Sequence, residues 1–192
     1  MSYYRKLLEE AGALLQGHFL LTSGMHSDRY VEKIRILENP KLLAPFVKRM
    51  IELSPETDWF VGPTLGGAII AYELARATGK KCAFAERNED GEGRSLKRDF
   101  GITGMDKIVV VDDVLTTGLS VVETCTAIKK GKILAIVVLV DRSMEPLDID
   151  IPIKSVVRYP TRIYYPDECY LCMNKIKLTK RGGSGRWQDL RI

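Results

Sequence analysis

The segment from Lys107 to Glu123 constrains the fold of this chain more than any other. It opens with four β-branched apolar residues, Ile108 to Val111, which predict a strand buried on both faces. Two carboxylates, Asp112 and Asp113, come next, and a turn with hydroxyls and a glycine then leads into helical apolar spacing. Units of this kind build open parallel sheets, in which ligands bind at the carboxyl ends of the strands. The sequence therefore predicts an α/β fold with a ligand site after this strand.

The turn after this strand combines groups that suit two parts of one ligand. Thr116, Thr117, Gly118 and Ser120 lie where a helix start would offer free N–H groups to a phosphate. The two carboxylates cannot serve a phosphate, but they suit hydroxyl groups or a hydrated Mg²⁺ ion. The pattern therefore indicates a sugar phosphate. The structural alternative is a solvated acidic loop or a helix cap.

A second glycine-bearing turn, Gly62 to Gly67, links a predicted strand to a helix of small residues. Its backbone N–H groups could hold another anion, although a tight turn uses glycine for positive φ without any ligand. A ligand with a phosphate at one end and a diphosphate at the other would need two such turns.

Elsewhere, periodicity predicts strands at 19–21, 30–31, 59–61, 81–85, 133–140 and 153–157, and helices at 3–15 (ended by Gly17), 40–53, 68–77 and 121–130.

Composition limits the class of protein. The 192 residues have a net charge of +4 and 45% hydrophobic content, which suits one soluble domain and a polyanionic small molecule as well as a nucleic acid. The absence of an apolar run of about 18 residues argues against a membrane partner. The charged N-terminal stretch does not resemble a secretory signal, so the sequence predicts a cytoplasmic protein.

Cys169 and Cys172 have the spacing of metal ligands. A zinc site needs four ligands, and without a second cysteine or histidine pair two subunits would have to share one ion. The sequence therefore favours a reduced, structural thiol pair. The two histidines, His18 and His26, are interpreted as surface or hydrogen-bonding loop residues.

The ordered residues from Val109 to Ser120, VVVDDVLTTGLS, closely resemble the phosphoribosyl-diphosphate (PRPP) motif of type I phosphoribosyltransferases. Leu119 departs from it, because many members have a second glycine there. Residues 17–33 are similar to the N-terminal hood of the orotate phosphoribosyltransferases, with Thr22 where many members have a lysine and Lys33 farther on. The ending Pro-Asp-x-Cys-x-x-Cys also recurs in that family.

The resemblance implies the type I phosphoribosyltransferase fold, a parallel-sheet core flanked by helices with a small N-terminal hood. It implies one domain over residues 1–192. The N-terminal helix and hood would occupy 1–35 and the α/β core 36–160, while the C-terminal extension 161–192 would be partly disordered at its basic end. The implied reaction converts orotate and PRPP to orotidine 5′-monophosphate and diphosphate in pyrimidine synthesis, with Mg²⁺ as cofactor.

The resemblance also implies roles for individual residues. Asp112 or Asp113 would contact Mg²⁺ through water. The implied PRPP-binding residues are Asp112, Asp113, Val114, Leu115, Thr116, Thr117, Gly118, Leu119 and Ser120 for the ribose 5-phosphate, and Leu65, Gly66, Gly67 and Arg87 for the diphosphate. Orotate would be bound by Arg142, Thr116 and Tyr30, and Arg87, Lys97, Arg98 and Asp113 would act in catalysis.

Residues 88–101 form a charge-dense segment with glycines, which predicts a mobile hairpin loop. In the family this loop closes over the diphosphate in the site of the neighbouring subunit, so the resemblance implies a homodimer. The cations Arg87, Arg94, Lys97 and Arg98 suit this role, because the leaving group gains negative charge in the transition state. The loop here is shortened, and it lacks the histidine and the paired lysines that many members have.

Three alternatives stay open. Arg142 could form an ion pair with Asp141 or Glu145 instead of binding a base. The chain could transfer phosphoribose to another nucleobase, or it could be a regulator that binds nucleotides and uses basic surface to bind nucleic acid. No basic patch interleaved with aromatic residues is visible, so the sequence predicts no nucleic-acid partner.

Overall fold

Strands and helices alternate along most of the chain. The computed structural model describes residues 2–21 and 23–180. In chain order the elements are α1 (Tyr3–Glu10), β1 (Leu14–Leu20), β2 (His26–Val31), α2 (Ile34–Leu37), α3 (Pro40–Leu53), β3 (Trp59–Pro63), α4 (Gly66–Thr78), β4 (Lys81–Arg87), β5 (Arg94–Ser95), β6 (Lys107–Leu115), α5 (Leu119–Ala127), β7 (Lys132–Asp141), β8 (Ile153–Arg158), β9 (Ile163–Tyr164), a 3₁₀ turn (Pro166–Glu168), α6 (Tyr170–Met173) and β10 (Thr179–Lys180).

The core is a six-stranded sheet in the order β5-β4-β3-β6-β7-β8. Its strands are parallel except β5, which returns antiparallel to β4 and closes a hairpin. The run Ile108 to Val111 in β6 is fully buried, as its β-branched sequence predicts for a strand covered on both faces. The motif that defines the fold therefore lies between β3 and β7, in the interior of the sheet.

Helices cover both faces of this sheet because successive side chains of a strand point to opposite sides. Val109 and Val111 of β6 belong to the apolar cluster formed with α1, α3 and α4. Ile108 and Val110 belong to the cluster on the other face, together with Val121 of α5. The alternation fixes which face each helix covers.

A second sheet, which we call the hood, has the strand order β10-β1-β2-β9. Strands β1 and β2 form an antiparallel hairpin near the start of the chain. The outer strands β9 and β10 come from the region after β8, and each is two residues long. The hood is thus built from segments that are far apart in the sequence.

Some predicted boundaries were wrong. The first helix ends at Glu10 instead of Leu15, because Gly12 adopts a positive φ of 65° and the apolar residues Leu14 and Leu15 belong to β1. Gly17 does not end a helix and lies within β1. Helix α5 ends at Ala127, before Gly131, and β6 extends to Leu115 so that both aspartates lie on a strand.

The sequence-based expectations for Thr22 and for a disordered basic end fall on Thr22 and residues 181–192, which lie outside the described residues. Within the described ranges, no helix has the length and apolar character to cross a membrane.

Candidate active site

A cleft of about 700 Å³ lies at the carboxyl ends of β3, β6 and β7, next to the hood. This volume falls within the range of about 300–1,000 Å³ that is usual for small-molecule sites. The hood side contributes Leu21, Ser23, Tyr30, Val31, Lys33, Thr161 and Ile163 to the lining. The end of β3 and the turn after it contribute Pro63, Thr64, Leu65 and Gly66. The remaining lining residues are Arg94 of β5 and, from β6 to the segment after β7, Asp112, Asp113, Val114, Thr116, Thr117, Ser120, Arg142, Ser143 and Met144.

The two aspartates are the most buried charged groups of the cleft. Asp112 is 6% exposed and Asp113 is 3% exposed. The backbone N–H of Asp113 donates to Asp112 Oδ1 at 2.8 Å, and the N–H of Val114 donates to Asp113 Oδ1 at 2.6 Å. Burial and the adjacent charge of Asp113 raise the pKa of Asp112 to about 8. The pair is therefore held by the backbone, and its second charge is costly until a ligand compensates it.

Lys33 supplies the cation that faces this pair. Its Nζ lies 2.7 Å from Asp113 Oδ2, and the lysine side chain stays half-exposed at the edge of the cleft. Burial opposes its charge, but the attraction and hydrogen bond of Asp113 prevail and raise the pKa of Lys33. The sequence left the role of this lysine open, since its position in the chain does not reveal that the end of β2 passes over β6. The contact places a cation from the hood beside the carboxylates.

The turn after β6 has the geometry expected of a phosphate site. Gly118 has a positive φ of 79° and precedes the first residue of α5, so the N-terminus of this helix opens toward the turn. Thr116 and Thr117 are exposed at the cleft, and Ser120 is half-buried there. The described residues thus bring hydroxyls and helix N–H groups together at one end of the cleft.

Two members of the predicted PRPP motif have side chains directed elsewhere. Leu115 is 2% exposed and packs in the apolar cluster that α5 covers, so only its backbone could contact a ligand. Leu119 is 58% exposed. The leucine that stands here instead of a second glycine is therefore exposed and does not enter the core.

The glycine turn after β3 packs directly against the acidic pair. A Cβ atom on Gly66 would lie 1.6 Å from Asp113 Oδ2, and one on Gly67 would lie 2.6 Å from Pro63 Cδ and 3.0 Å from the carbonyl oxygen of Val111. The glycines are required because the start of α4 approaches β6 too closely for side chains. Leu65, by contrast, is 73% exposed at the cleft.

Arg142 lies where β7 ends, and its side chain reaches the cleft from below the hood. The residue is 8% exposed, its Nε donates to Thr161 Oγ1 at 3.3 Å, and its Nη2 donates to the carbonyl oxygen of Arg29 at 3.3 Å. Burial lowers the pKa of Arg142 from its ordinary value, but a guanidinium stays charged in proteins. Tyr30 lines the same end of the cleft.

Arg142 does not form the ion pair with Asp141 or Glu145 that the sequence left open as an alternative. Asp141 Oδ1 accepts hydrogen bonds from the N–H and hydroxyl of Ser143 at 2.8 and 2.6 Å, and Asp141 Oδ2 pairs with Arg158. Among the described residues, no ion pair involves Arg142 or Glu145. The arginine is instead fixed by neutral acceptors, which leaves its charge for a ligand.

The hairpin between β4 and β5 contributes one cation, Arg94, to the cleft. The sequence counts Arg94 among the loop cations, but it assigns catalytic roles only to the other three. Arg94 has a side chain only 7% exposed, 3.3 Å from Glu123 of α5, and its Nη1 donates to the carbonyl oxygen of Ala85 at 3.1 Å. Burial and the charge of Arg87 lower the pKa of Arg94. Its position next to Thr64 and the glycine turn could not be read from a short charge-dense segment.

The cations predicted to act in catalysis lie on the outside of this hairpin. Arg87 is exposed, and its Nη1 donates to the carbonyl oxygen of Gly91 at 3.0 Å. Arg98 pairs with Glu86 at 3.2 Å, and Lys97 is exposed. None of the three belongs to the described residues that line the cleft of this chain, so their roles stay predictions.

Both histidines form hydrogen bonds, as one of the two interpretations expected, but they are neither surface nor loop residues, because they lie on β1 and β2. His18 is 2% exposed and His26 is 5% exposed, and both lie in the hood beside Cys169 and Cys172. The second pair of potential ligands therefore does exist within one chain. It was missed because the two histidines are separated by seven residues, and only the pairing of β1 with β2 brings them together.

Comparison with known proteins agrees with this geometry. Residues 35–167 match the phosphoribosyl transferase domain family. The chain is 39% identical over 181 residues to an orotate phosphoribosyltransferase of Thermoanaerobacter sp. (strain X514), covering 92% of this chain and 94% of that protein. The chain belongs to the orotate phosphoribosyltransferase family.

A second relative and a solved structure agree with this assignment. An orotate phosphoribosyltransferase of Caldicellulosiruptor saccharolyticus is 39% identical over 183 residues, with 93% of this chain and 95% of that protein covered. The crystal structure of orotate phosphoribosyltransferase from Aeropyrum pernix superposes with a TM-score of 0.69 at 26% identity, over 80% of this chain and 92% of that one. The fold is the type I phosphoribosyltransferase fold, as the sequence predicts.

Proposed function

We propose that the chain transfers the phosphoribosyl group of PRPP to orotate, forming orotidine 5′-monophosphate and diphosphate. In this reaction the bond between C1 of the ribose and the diphosphate oxygen breaks, and a bond from C1 to N1 of orotate forms. The N1 proton leaves with the diphosphate. The observation that best supports the proposal is the buried guanidinium of Arg142, which lines the same cleft as the phosphate turn.

The cleft offers a separate place for each part of PRPP. The N-terminus of α5 and the hydroxyls of Thr116, Thr117 and Ser120 suit the 5-phosphate. The carboxylates of Asp112 and Asp113 suit the two ribose hydroxyls, to which they can accept hydrogen bonds. No side chain has to act as a nucleophile, because fixing both reactants in line supplies much of the rate enhancement.

The diphosphate would lie against the glycine turn and Arg94. The absence of side chains at Gly66 and Gly67 lets an anion approach the start of α4 closely. Arg94 is a buried cation beside that turn, and such a charge stabilises the negative charge that develops on the leaving group. This cation beside the glycine turn supports the proposal that the bond to the diphosphate breaks there.

The base would lie between the hood and Arg142. A guanidinium presents a planar fork of donors, which matches a carboxylate or a ring imide. Orotate has both groups. Tyr30 and Thr161 line the cleft from the hood side, and Thr161 Oγ1 accepts a hydrogen bond from Arg142 Nε at 3.3 Å.

The acidic pair also fits Mg²⁺, the cofactor that the family implies. Asp112 and Asp113 are two buried carboxylates whose oxygens suit a hard cation, and burial together with the charge of Asp113 raises the pKa of Asp112. We propose that either carboxylate contacts Mg²⁺ through water while PRPP oxygens supply other ligands. The bound ion would neutralise charge on the diphosphate.

A homodimer with loop 88–101 reaching the neighbouring site is part of the proposal. The support for it is the outward position of Arg87, Lys97 and Arg98 on the hairpin, where they could contact a second copy. A cytoplasmic location is also part of it. The four cysteines are free thiols, which suits a reducing compartment.

The test measures consumption of orotate by its ultraviolet absorbance, with PRPP and Mg²⁺ present. We expect Arg142→Met to reduce kcat/KM for orotate at least 100-fold, because a buried charge-assisted contact contributes about 3 kcal/mol. The KM for PRPP should change little. Arg76→Met, which removes an exposed arginine on α4, is the matched control and should retain full activity.

Two results would contradict the proposal. Consumption of a different nucleobase, with orotate left unchanged, would show that the phosphoribosyl site is correct and the base assignment is wrong. PRPP binding without turnover of any base would instead support a regulator on the same fold.

A further inference from the structure

Four potential metal ligands converge inside the hood. They are His18 on β1, His26 on β2, Cys169 directly before α6, and Cys172 within α6. One ligand atom from each residue lies within 4.8 Å of all the others. His18, His26 and Cys169 are buried, and Cys172 is exposed at the edge of the cluster. None of the four lines the cleft among the residues described there.

Four of the six distances between these atoms are close to the edges of a tetrahedron around one zinc ion. With Zn–N near 2.05 Å and Zn–S near 2.3 Å, tetrahedral geometry requires separations of roughly 3.3 Å between nitrogens and roughly 3.6 Å between nitrogen and sulfur. His18 Nε2 lies 3.0 Å from His26 Nδ1 and 3.5 Å from Cys169 Sγ. Cys172 Sγ lies 3.7 Å from His18 Nε2 and 3.3 Å from His26 Nδ1.

The surroundings of His18 fix the form of the ring that a metal needs. Its Nδ1 is 2.7 Å from the carbonyl oxygen of Ile176, so Nδ1 bears the proton and donates it. The lone pair of Nε2 then points into the cluster. Ligating histidines usually donate their other ring N–H in this way, which orients the ring and strengthens the ligand.

A hydrogen-bonded arrangement without metal accounts for less of this geometry. A proton on His26 Nδ1 could be donated to His18 Nε2, but the two sulfurs would then crowd the same pair of nitrogens. One cation would coordinate all four atoms at once. Thiolate and imidazole ligands in a closed tetrahedral set favour zinc over Mg²⁺ or Ca²⁺.

We propose that His18, His26, Cys169 and Cys172 hold one structural Zn²⁺ ion within a single chain. All four positions are filled by protein, so the ion has no open site for a substrate. The proposal does not depend on the identity of the base or on the reaction in the cleft.

The position of the cluster indicates what the ion does. It joins the hairpin of β1 and β2 to the segment after β8. That segment also pairs with the hairpin through β9 and β10, strands of two residues each, and through hydrogen bonds such as that from Ser27 Oγ to the carbonyl oxygen of Arg162. Such short strands hold few backbone hydrogen bonds. Because Tyr30 and Lys33 approach the cleft from the same hairpin or directly after it, a bound ion would also steady that side of the site.

The first experiment measures metal content of the full chain, purified without chelators, by plasma mass spectrometry. We expect one zinc per chain, and less than a tenth of that in Cys172→Ser and in His26→Gln. Cys82→Ser removes a thiol of β4 that lies outside the cluster and should keep the full zinc content. Wild-type protein without zinc that also fails to bind added Zn²⁺ would overturn the proposal.

The second experiment does not require a folded variant. Zinc in the wild-type chain is replaced by Co²⁺, and the visible spectrum is recorded. Intense d–d bands of tetrahedral geometry together with a sulfur-to-cobalt band are expected, and the sulfur band excludes the carboxylates of the cleft as ligands. Weak octahedral bands alone, or a Cys169–Cys172 disulfide found by mass spectrometry of freshly purified protein, would refute the site.

Discussion

Replacing Asp112 by asparagine should stabilise the ligand-free protein while abolishing its function. Asp112 is 6% exposed, and burial with the charge of Asp113 raises its pKa from 3.8 to about 8. A difference of this size corresponds to about 6 kcal/mol as an upper limit, at about 1.4 kcal/mol for each pKa unit. Asparagine has nearly the same shape, and its oxygen can still accept the N–H of Asp113, so the substitution removes the charge and little else.

The stabilisation by Asp112→Asn should depend on pH, because the folded and unfolded chains bind different numbers of protons at this position. Between pH 3.8 and about 8 the folded chain holds a proton on Asp112 that the unfolded chain has lost, so the free energy of unfolding decreases as pH rises through this window. Asp112→Asn has no carboxyl at this position, so its free energy of unfolding does not decrease for this reason. The advantage of the variant is the difference between its free energy of unfolding and that of the wild type. This advantage should be absent near pH 4, increase toward pH 8 and stay constant above it. Relaxation and water lower such penalties, and we expect about 2 kcal/mol at pH 9.

The assay is urea unfolding at pH 5, 7 and 9 without PRPP or Mg²⁺, with thermal unfolding in parallel. A gain of about 2 kcal/mol corresponds to roughly 4–8 °C in Tm for a domain of this size. Asp148→Asn, at an exposed carboxylate, is the control and should shift neither quantity. The reasoning is refuted if Asp112→Asn is no more stable than wild type at pH 9, or if its advantage is the same at pH 5 and pH 9.

Two further predictions concern the walls of the cleft. Gly66→Ala should weaken PRPP binding at least 100-fold in calorimetry, because its Cβ would displace Asp113, whereas Gly104→Ala has open space and should bind normally. Normal binding by the Gly66 variant would show that α4 can move away from β6. Arg94→Met should reduce kcat 100-fold or more with a small change in KM, since its charge would stabilise the leaving group. If Arg98→Met loses more activity than Arg94→Met, the outer face of the hairpin acts in catalysis, as a loop shared with a second subunit requires.

The sequence determined the centre of the fold and of the site. Four β-branched residues before Asp112 predict a buried strand, and that strand occupies the interior of the sheet with every one of them buried. The turn with Gly118 precedes α5 as predicted, because glycine is needed at its positive φ of 79°. Such features depend on neighbours in the chain, so a continuous stretch of sequence contains them.

The edges of elements were less predictable. Apolar residues at Leu14 and Leu15 continue the helical spacing of α1, yet they belong to β1. Their burial is decided by the partner strand β2 and by the core beneath, and periodicity over a short stretch cannot distinguish these two surroundings. Local patterns therefore located the elements and misjudged where some of them end.

Only the tertiary structure decided which distant groups meet. Lys33 lies 2.7 Å from Asp113, Arg94 rather than Arg98 faces the cleft, and His18 approaches Cys169 across 151 positions of the chain. Each contact depends on how the hood and the β4–β5 hairpin pack on the core, and a pair of that kind leaves no spacing pattern in the sequence. Local chemistry determined that the chain has a phosphate turn and an acidic pair. Packing between remote segments determined which cations surround them and that four scattered ligands form one cluster.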